Sequence, residues 1–84
     1  MSKEKEEGYL LEAVILINTK LGDMWKVVEE IRKIPDVKFA KAVAGRYDVA
    51  AHVHTTNLSW IIARIHGING VTRTETLIAL EAKF

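Results

Sequence analysis

Residues 37–54, VKFAKAVAGRYDVAAHVH, decide the fold. In the first half Val37, Phe39, Lys41 and Val43 alternate with Lys38, Ala40, Ala42 and Ala44, which is the two-residue period of a strand. Gly45-Arg46-Tyr47-Asp48 interrupts the alternation with turn chemistry. Val49, Ala51 and Val53 then alternate with Ala50, His52 and His54. Two such runs joined by a short turn predict an antiparallel hairpin at the middle of the chain.

Outward from the hairpin, each side reads as a helix. Upstream, Met24, Val27, Val28, Ile31 and Ile34 recur at helical spacing, with Lys26, Glu29, Glu30, Arg32 and Lys33 filling the remainder. Asp23 is the expected N-cap, Arg32 and Lys33 make a basic last turn, and Pro35 stops the helix by forcing Ile34 out of the helical region. Downstream, Thr55, Thr56 and Asn57 are a cluster of capping residues. They introduce the shorter stripe Leu58, Ile61, Ile62 and Ile65, closed by Gly67 and Asn69-Gly70.

The outermost segments are strands. Leu10 to Ile17 is an almost unbroken apolar run, the pattern of a strand covered on both faces. Val71 to Leu80 carries Thr72, Thr74 and Thr76 on one face. The order β-α-β-β-α-β predicts an α+β, ferredoxin-like fold: a four-stranded antiparallel sheet with both helices on one face. The other face is left bare, although its central strand is apolar on both sides. A second subunit packed sheet against sheet is the expected cover.

Composition sets the outer limits. A chain of 84 residues makes one domain, and domains this small bury only a little over roughly 60% of the surface of the unfolded chain. Cysteine is absent, so no disulfide or thiolate metal site supplements the core, and oligomerisation is the natural remedy. Twelve basic against 11 acidic residues give a net charge of +1, which argues against a protein built around nucleic-acid phosphates. The basic residues Lys33, Lys38, Lys41 and Arg46 read as a solvated face. No stretch reaches the roughly 20 apolar residues of a membrane span. Met1 to Glu7 lacks the apolar core of a signal peptide. The expectation is a cytoplasmic domain over residues 9–84 behind a flexible charged tail, residues 1–8.

Many functions use this architecture, and motifs remove several. RNA recognition needs exposed aromatics on the third strand, where this chain has Val49-Ala50-Ala51-His52-Val53-His54. A heavy-metal-binding domain of this fold needs a Cys-x-x-Cys pair. An acylphosphatase-like enzyme needs an arginine-bearing phosphate cradle after the first strand, and Asn18-Thr19-Lys20-Leu21-Gly22-Asp23 has none. No Ser/His/Asp or Cys/His constellation suggests catalysis.

The remaining residues resemble a known family. Ala13-Val14-Ile15-Leu16-Ile17, Ile31-Arg32-Lys33-Ile34-Pro35-Asp36-Val37, Ala42-Val43-Ala44-Gly45-Arg46-Tyr47-Asp48 and Gly70-Val71-Thr72-Arg73-Thr74-Glu75-Thr76 together are similar to the amino-acid-sensing (RAM) domain of Lrp/AsnC regulators. The resemblance runs over residues 11–81. It departs from the family pattern at Leu21-Gly22 and Asn69-Gly70, where Pro-Gly is common, and in a shorter second helix. Only about a dozen residues precede the first strand, too few for a three-helix DNA-binding unit. The resemblance therefore implies a stand-alone sensing domain without direct DNA binding. It also implies a homodimer assembling to an octamer or decamer, with an amino-acid effector between subunits and full-length regulators of the family as partners. No cofactor and no enzymatic activity are implied.

Gly45, Arg46, Tyr47 and Asp48 are the leading candidate ligand-binding residues. A zwitterionic amino acid needs a carboxylate for its ammonium group and amide donors for its carboxylate. Asp48 and the backbone around Gly45 supply these, and Tyr47 can wall the pocket. The same four residues also suit an ordinary hairpin turn. Thr74 and Thr76 offer hydroxyls to a ligand carboxylate across the interface, and equally reflect β-propensity. His52 and His54 share a strand face, as metal ligands can. The only third ligand readable near them is Asp48, so no metal is expected and they read as dimer-face histidines. Trp25 and Trp60 lie off their helical stripes, where aromatics suit subunit contacts. Two other functions stay open: a small dimeric α/β-barrel enzyme using His52 or His54 as base, and a structural assembly adaptor.

Overall fold

The computed structural model describes residues 10–80. The expected tail at residues 1–8 and the last four residues lie outside that range. The elements run β1 (Leu11–Thr19), α1 (Met24–Arg32), β2 (Val37–Ala42), β3 (Val49–Thr55), α2 (Leu58–His66) and β4 (Val71–Ile78). The strands form one antiparallel sheet in the order β2-β3-β1-β4. This is the ferredoxin-like plan expected from the sequence.

The core lies between the helices and one face of the sheet. Ala13, Ile15 and Ile17 of β1, with Val49, Ala51 and Val53 of β3, are buried beneath Val27, Val28 and Ile31 of α1 and Ile61 and Ile65 of α2. The opposite face carries Glu12, Val14 and Leu16 of β1, with His54, His52 and Ala50 opposite them on β3. Phe39 and Lys41 of β2 pair with His52 and Ala50, and Leu77 and Glu75 of β4 pair with Val14 and Leu16. Phe39 and Leu77 are 46% and 50% exposed. No helix among the described residues is long and apolar enough to cross a membrane.

Three local expectations need correction. Asp23 precedes α1, but its side chain caps no helical N–H. Its φ of −100° and ψ of 0° are outside the extended conformation that brings an N-cap side chain back over the first turn. The carboxylate instead lies over Gly70. Of the expected capping cluster, only Asn57 caps, accepting a hydrogen bond from the Trp60 N–H at 3.2 Å. Thr55 is the buried last residue of β3 and donates its hydroxyl to Asp36 Oδ2 at 2.8 Å. The third correction concerns β2, whose register against β3 shifts between Val37 and Phe39. Lys38 is the extra residue of this bulge, so Val37 faces the core while Phe39 faces outward, rather than both sharing one face.

Candidate functional site

The turn between β2 and β3 holds the leading candidates. Gly45 takes a φ of +133°, a conformation that side chains disfavour and glycine adopts freely. The turn is closed by the Val43 N–H donating to the Asp48 carbonyl at 2.9 Å. It is docked on β1 by the Asp48 N–H, which donates to the Ile17 carbonyl at 2.9 Å. Gly45 and Arg46 are exposed, Tyr47 and Asp48 half-buried.

The four residues do not converge on one pocket. Asp48 turns to the end of β1, where its Oδ2 accepts from the Thr19 N–H at 2.8 Å and from the Thr19 hydroxyl at 3.3 Å. There it lines an open concavity of about 360 Å³ with Thr19, Lys20, Leu21, Gly22 and Met24. Tyr47 departs in another direction and donates its hydroxyl to Glu75 Oε1 on the outward face of β4. That bond to a carboxylate, followed by desolvation, raises the Tyr47 hydroxyl above its ordinary pKa of 10.0, opposed by the nearby Arg73 and Arg46 charges. A hydrogen bond given to an anion is lost on ionisation, which is why the neutral phenol is favoured.

Thr74 and Thr76 occupy the helix side of β4, paired with Ile17 and Ile15 of β1. The Thr74 hydroxyl lies 2.7 Å from His66 Nε2 at the C-terminal end of α2. The threonines and the Gly45–Asp48 turn therefore flank β1 on opposite sides, with that strand between them. A larger groove of about 530 Å³ runs between the helices past Lys26, Glu30, Arg64 and Ile68. Trp25 and Trp60 are both exposed, and the guanidinium of Arg64, which lines the groove, lies 5.1 Å from the Trp60 ring centroid.

Sequence reasoning missed one cluster. His52 and His54 share the outward face of the sheet as expected, but the carboxylate beside them is that of Glu12. Its Oε2 lies 2.6 Å from His52 Nε2 and 3.8 Å from His54 Nε2. Asp48, the third ligand considered from the sequence, is engaged with Thr19 instead. The pairing of Glu12 with His54 follows from the β1–β3 register, which the composition of either strand does not reveal.

The Lrp/AsnC ligand binding domain family matches residues 12–84. An uncharacterised HTH-type transcriptional regulator of Pyrococcus abyssi is 31% identical over 80 residues, which are 90% of this chain and 51% of the regulator. This chain thus spans about half the length of the curated relatives it matches. A Thermus thermophilus protein of known crystal structure superposes with a TM-score of 0.82 at 31% identity, over 87% of this chain and 96% of that one. A feast or famine regulatory protein of M. tuberculosis, complexed with L-methionine, shares the fold at a TM-score of 0.73 and 20% identity, over 100% of this chain and 58% of that one.

Proposed function

The chain belongs to the Lrp/AsnC ligand binding domain family, and from that membership we propose that it is a regulatory module holding an amino-acid effector between copies of itself. The observation that carries this reading is the separation of its candidate groups. Asp48 and the backbone around Gly45 sit on one side of β1, Thr74 and Thr76 on the other. A ligand meeting both sets draws one from each of two copies. Asp48 takes the effector ammonium group, amides near Gly45 and the threonine hydroxyls take its carboxylate, and Arg46 stands ready for a side-chain acceptor. Tyr47, held by Glu75, borders the site rather than lining its floor.

The apolar residues on the outward face of the sheet, with Phe39 and Leu77 half exposed, favour a sheet-to-sheet homodimer, and further assembly of dimers to an octamer or decamer creates the effector site. Regulation then follows from linkage: a ligand touching two copies stabilises whichever assembly brings them together. The altered assembly presents a changed surface to full-length regulators of the family.

The test is thermal unfolding of the protein with each common amino acid at millimolar concentration, beginning with L-methionine because the M. tuberculosis neighbour holds it. A ligand present at about a hundred times its dissociation constant adds roughly 2.7 kcal/mol per site. The expected result is a shift for one or a few amino acids that disappears in Asp48→Asn. The asparagine oxygen still accepts from Thr19, so the turn is kept while the charge is lost. A reversible transition that no amino acid moves would refute the proposal.

A further inference from the structure

We propose that Glu12, His52 and His54 form a binding site for a divalent transition-metal ion of the zinc type, on the sheet face turned away from the helices. One ligand atom from each residue, a carboxylate oxygen of Glu12 and a ring nitrogen of each histidine, falls in a group whose members all lie within 4.8 Å of one another. Ligand atoms about 2.0–2.1 Å from a tetrahedral zinc ion stand roughly 3.3 Å apart. The carboxylate lies 2.6 Å from one imidazole nitrogen and 3.8 Å from the other. These two distances bracket the required one, and side-chain rotations that change them by roughly half an ångström or a little more bring both to it.

The donor set selects the ion. Two imidazoles and one carboxylate suit zinc, cobalt(II), nickel(II) or copper(II), whereas calcium and magnesium take oxygen ligands almost throughout. The scaffold is rigid where it matters. Glu12 and His54 are direct cross-strand partners on the two central strands, and His52 is two residues further along the same face. The rings are also held by their neighbours: His52 packs against Phe39 at 5.3 Å between centroids and meets His54 edge-on at 4.9 Å. In the single chain the three side chains are 20–22% exposed; in the sheet-to-sheet dimer proposed above they lie at the seam between copies, where a bound ion would be withdrawn from water. Three protein ligands leave one position for water or a further donor. The site is separate from the Gly45–Asp48 turn, so metal binding and effector binding are tested apart, although it shares the sheet face assigned above to the homodimer.

The experiment is titration of metal-free protein with zinc and, for its visible d–d absorption, cobalt(II), at neutral pH. The expected result is one ion per chain and a tetrahedral or five-coordinate cobalt spectrum. His52→Gln, His54→Gln and Glu12→Gln each weaken binding by at least about tenfold, the least that loss of even an outer-shell partner produces. His66→Gln, a change on the opposite side of the sheet, leaves binding unaltered. Imidazole proton resonances provide a second measurement that needs no variant: zinc shifts two histidines and spares the third. Absence of binding would overturn the inference. So would binding that survives the His52→Gln/His54→Gln double variant, or that perturbs His66 instead.

Discussion

Gly70 is the position where one added methyl group should cost the most. It is buried just before β4 at a φ of +109°, and its carbonyl accepts from the Lys20 N–H at 2.8 Å. A Cβ there would stand 2.9 Å from Asp23 Oδ2, 3.1 Å from Asp23 Cβ and 3.2 Å from Val27 Cγ2. Gly70→Ala therefore incurs the backbone penalty of a side chain at positive φ, about 1–3 kcal/mol, and an overpacking penalty of about 1–3 kcal/mol. Gly45→Ala is the matched control, with a φ of +133° and nothing within 4 Å of the added carbon. It should incur the first cost alone. Urea unfolding followed by circular dichroism, at one fixed protein concentration because assembly contributes to apparent stability, measures the difference. Each kcal/mol corresponds to about 4–8 °C in Tm for a domain this small. Asp23→Ala in the Gly70→Ala background should recover part of the excess, since it removes the nearest atom. Equal destabilisation by the two alanine substitutions would refute the crowding argument.

Two further outcomes follow from the outward sheet face. Leu77→Lys, at a position 50% exposed in the single chain, should leave the fold intact while shifting sedimentation toward the monomer; an unchanged mass would remove this face from the assembly. In a Tyr9→Phe background, alkaline titration of tyrosinate absorbance should show Tyr47 ionising above its ordinary value of 10.0 and moving back toward it in Glu75→Gln. Because the folded pKa is raised, the stabilisation is complete below the unfolded value near 10 and fades as pH rises through the folded one. The stability of the Glu75→Gln variant should accordingly decline less over that range.

The legible parts of the fold are those written in period. Val27, Val28 and Ile31 announce a helix, Val49, Ala51 and Val53 a strand, and their order fixes the topology. What is not legible depends on register between segments distant in sequence. Nothing in VKFAKA marks Lys38 as the extra residue. Nothing in LEAVILINT says that Glu12 will face His54, because pairing is set by how β1 and β3 slide against each other when Ile15, Ile17, Val49 and Val53 bury. The turn itself is readable, but where its side chains go is set by their partners across the sheet, Thr19 for Asp48 and Glu75 for Tyr47. Tyr47 and Asp48 therefore read as one pocket in the sequence and occupy two places in the fold. Asp23 reads as a cap because capping is the commonest use of such a residue; the close approach of Gly70 gives its carboxylate a different neighbour.

Lys38 is surplus to the ladder. A chain lacking it would keep Val37 inward and Phe39 outward, since two residues in direct succession on a strand already point to opposite faces. What the lysine contributes is direction, because a bulge bends its strand and adds local twist. That twist is applied two residues after Asp36, which at a φ of +77° accepts the Thr55 hydroxyl on its side chain and the His54 N–H on its carbonyl. A residue that can be removed without reversing a face thus governs the angle at which the chain leaving α1 enters the sheet. Shortening β2 by that residue would re-aim this corner of the molecule while leaving every pairing partner in place.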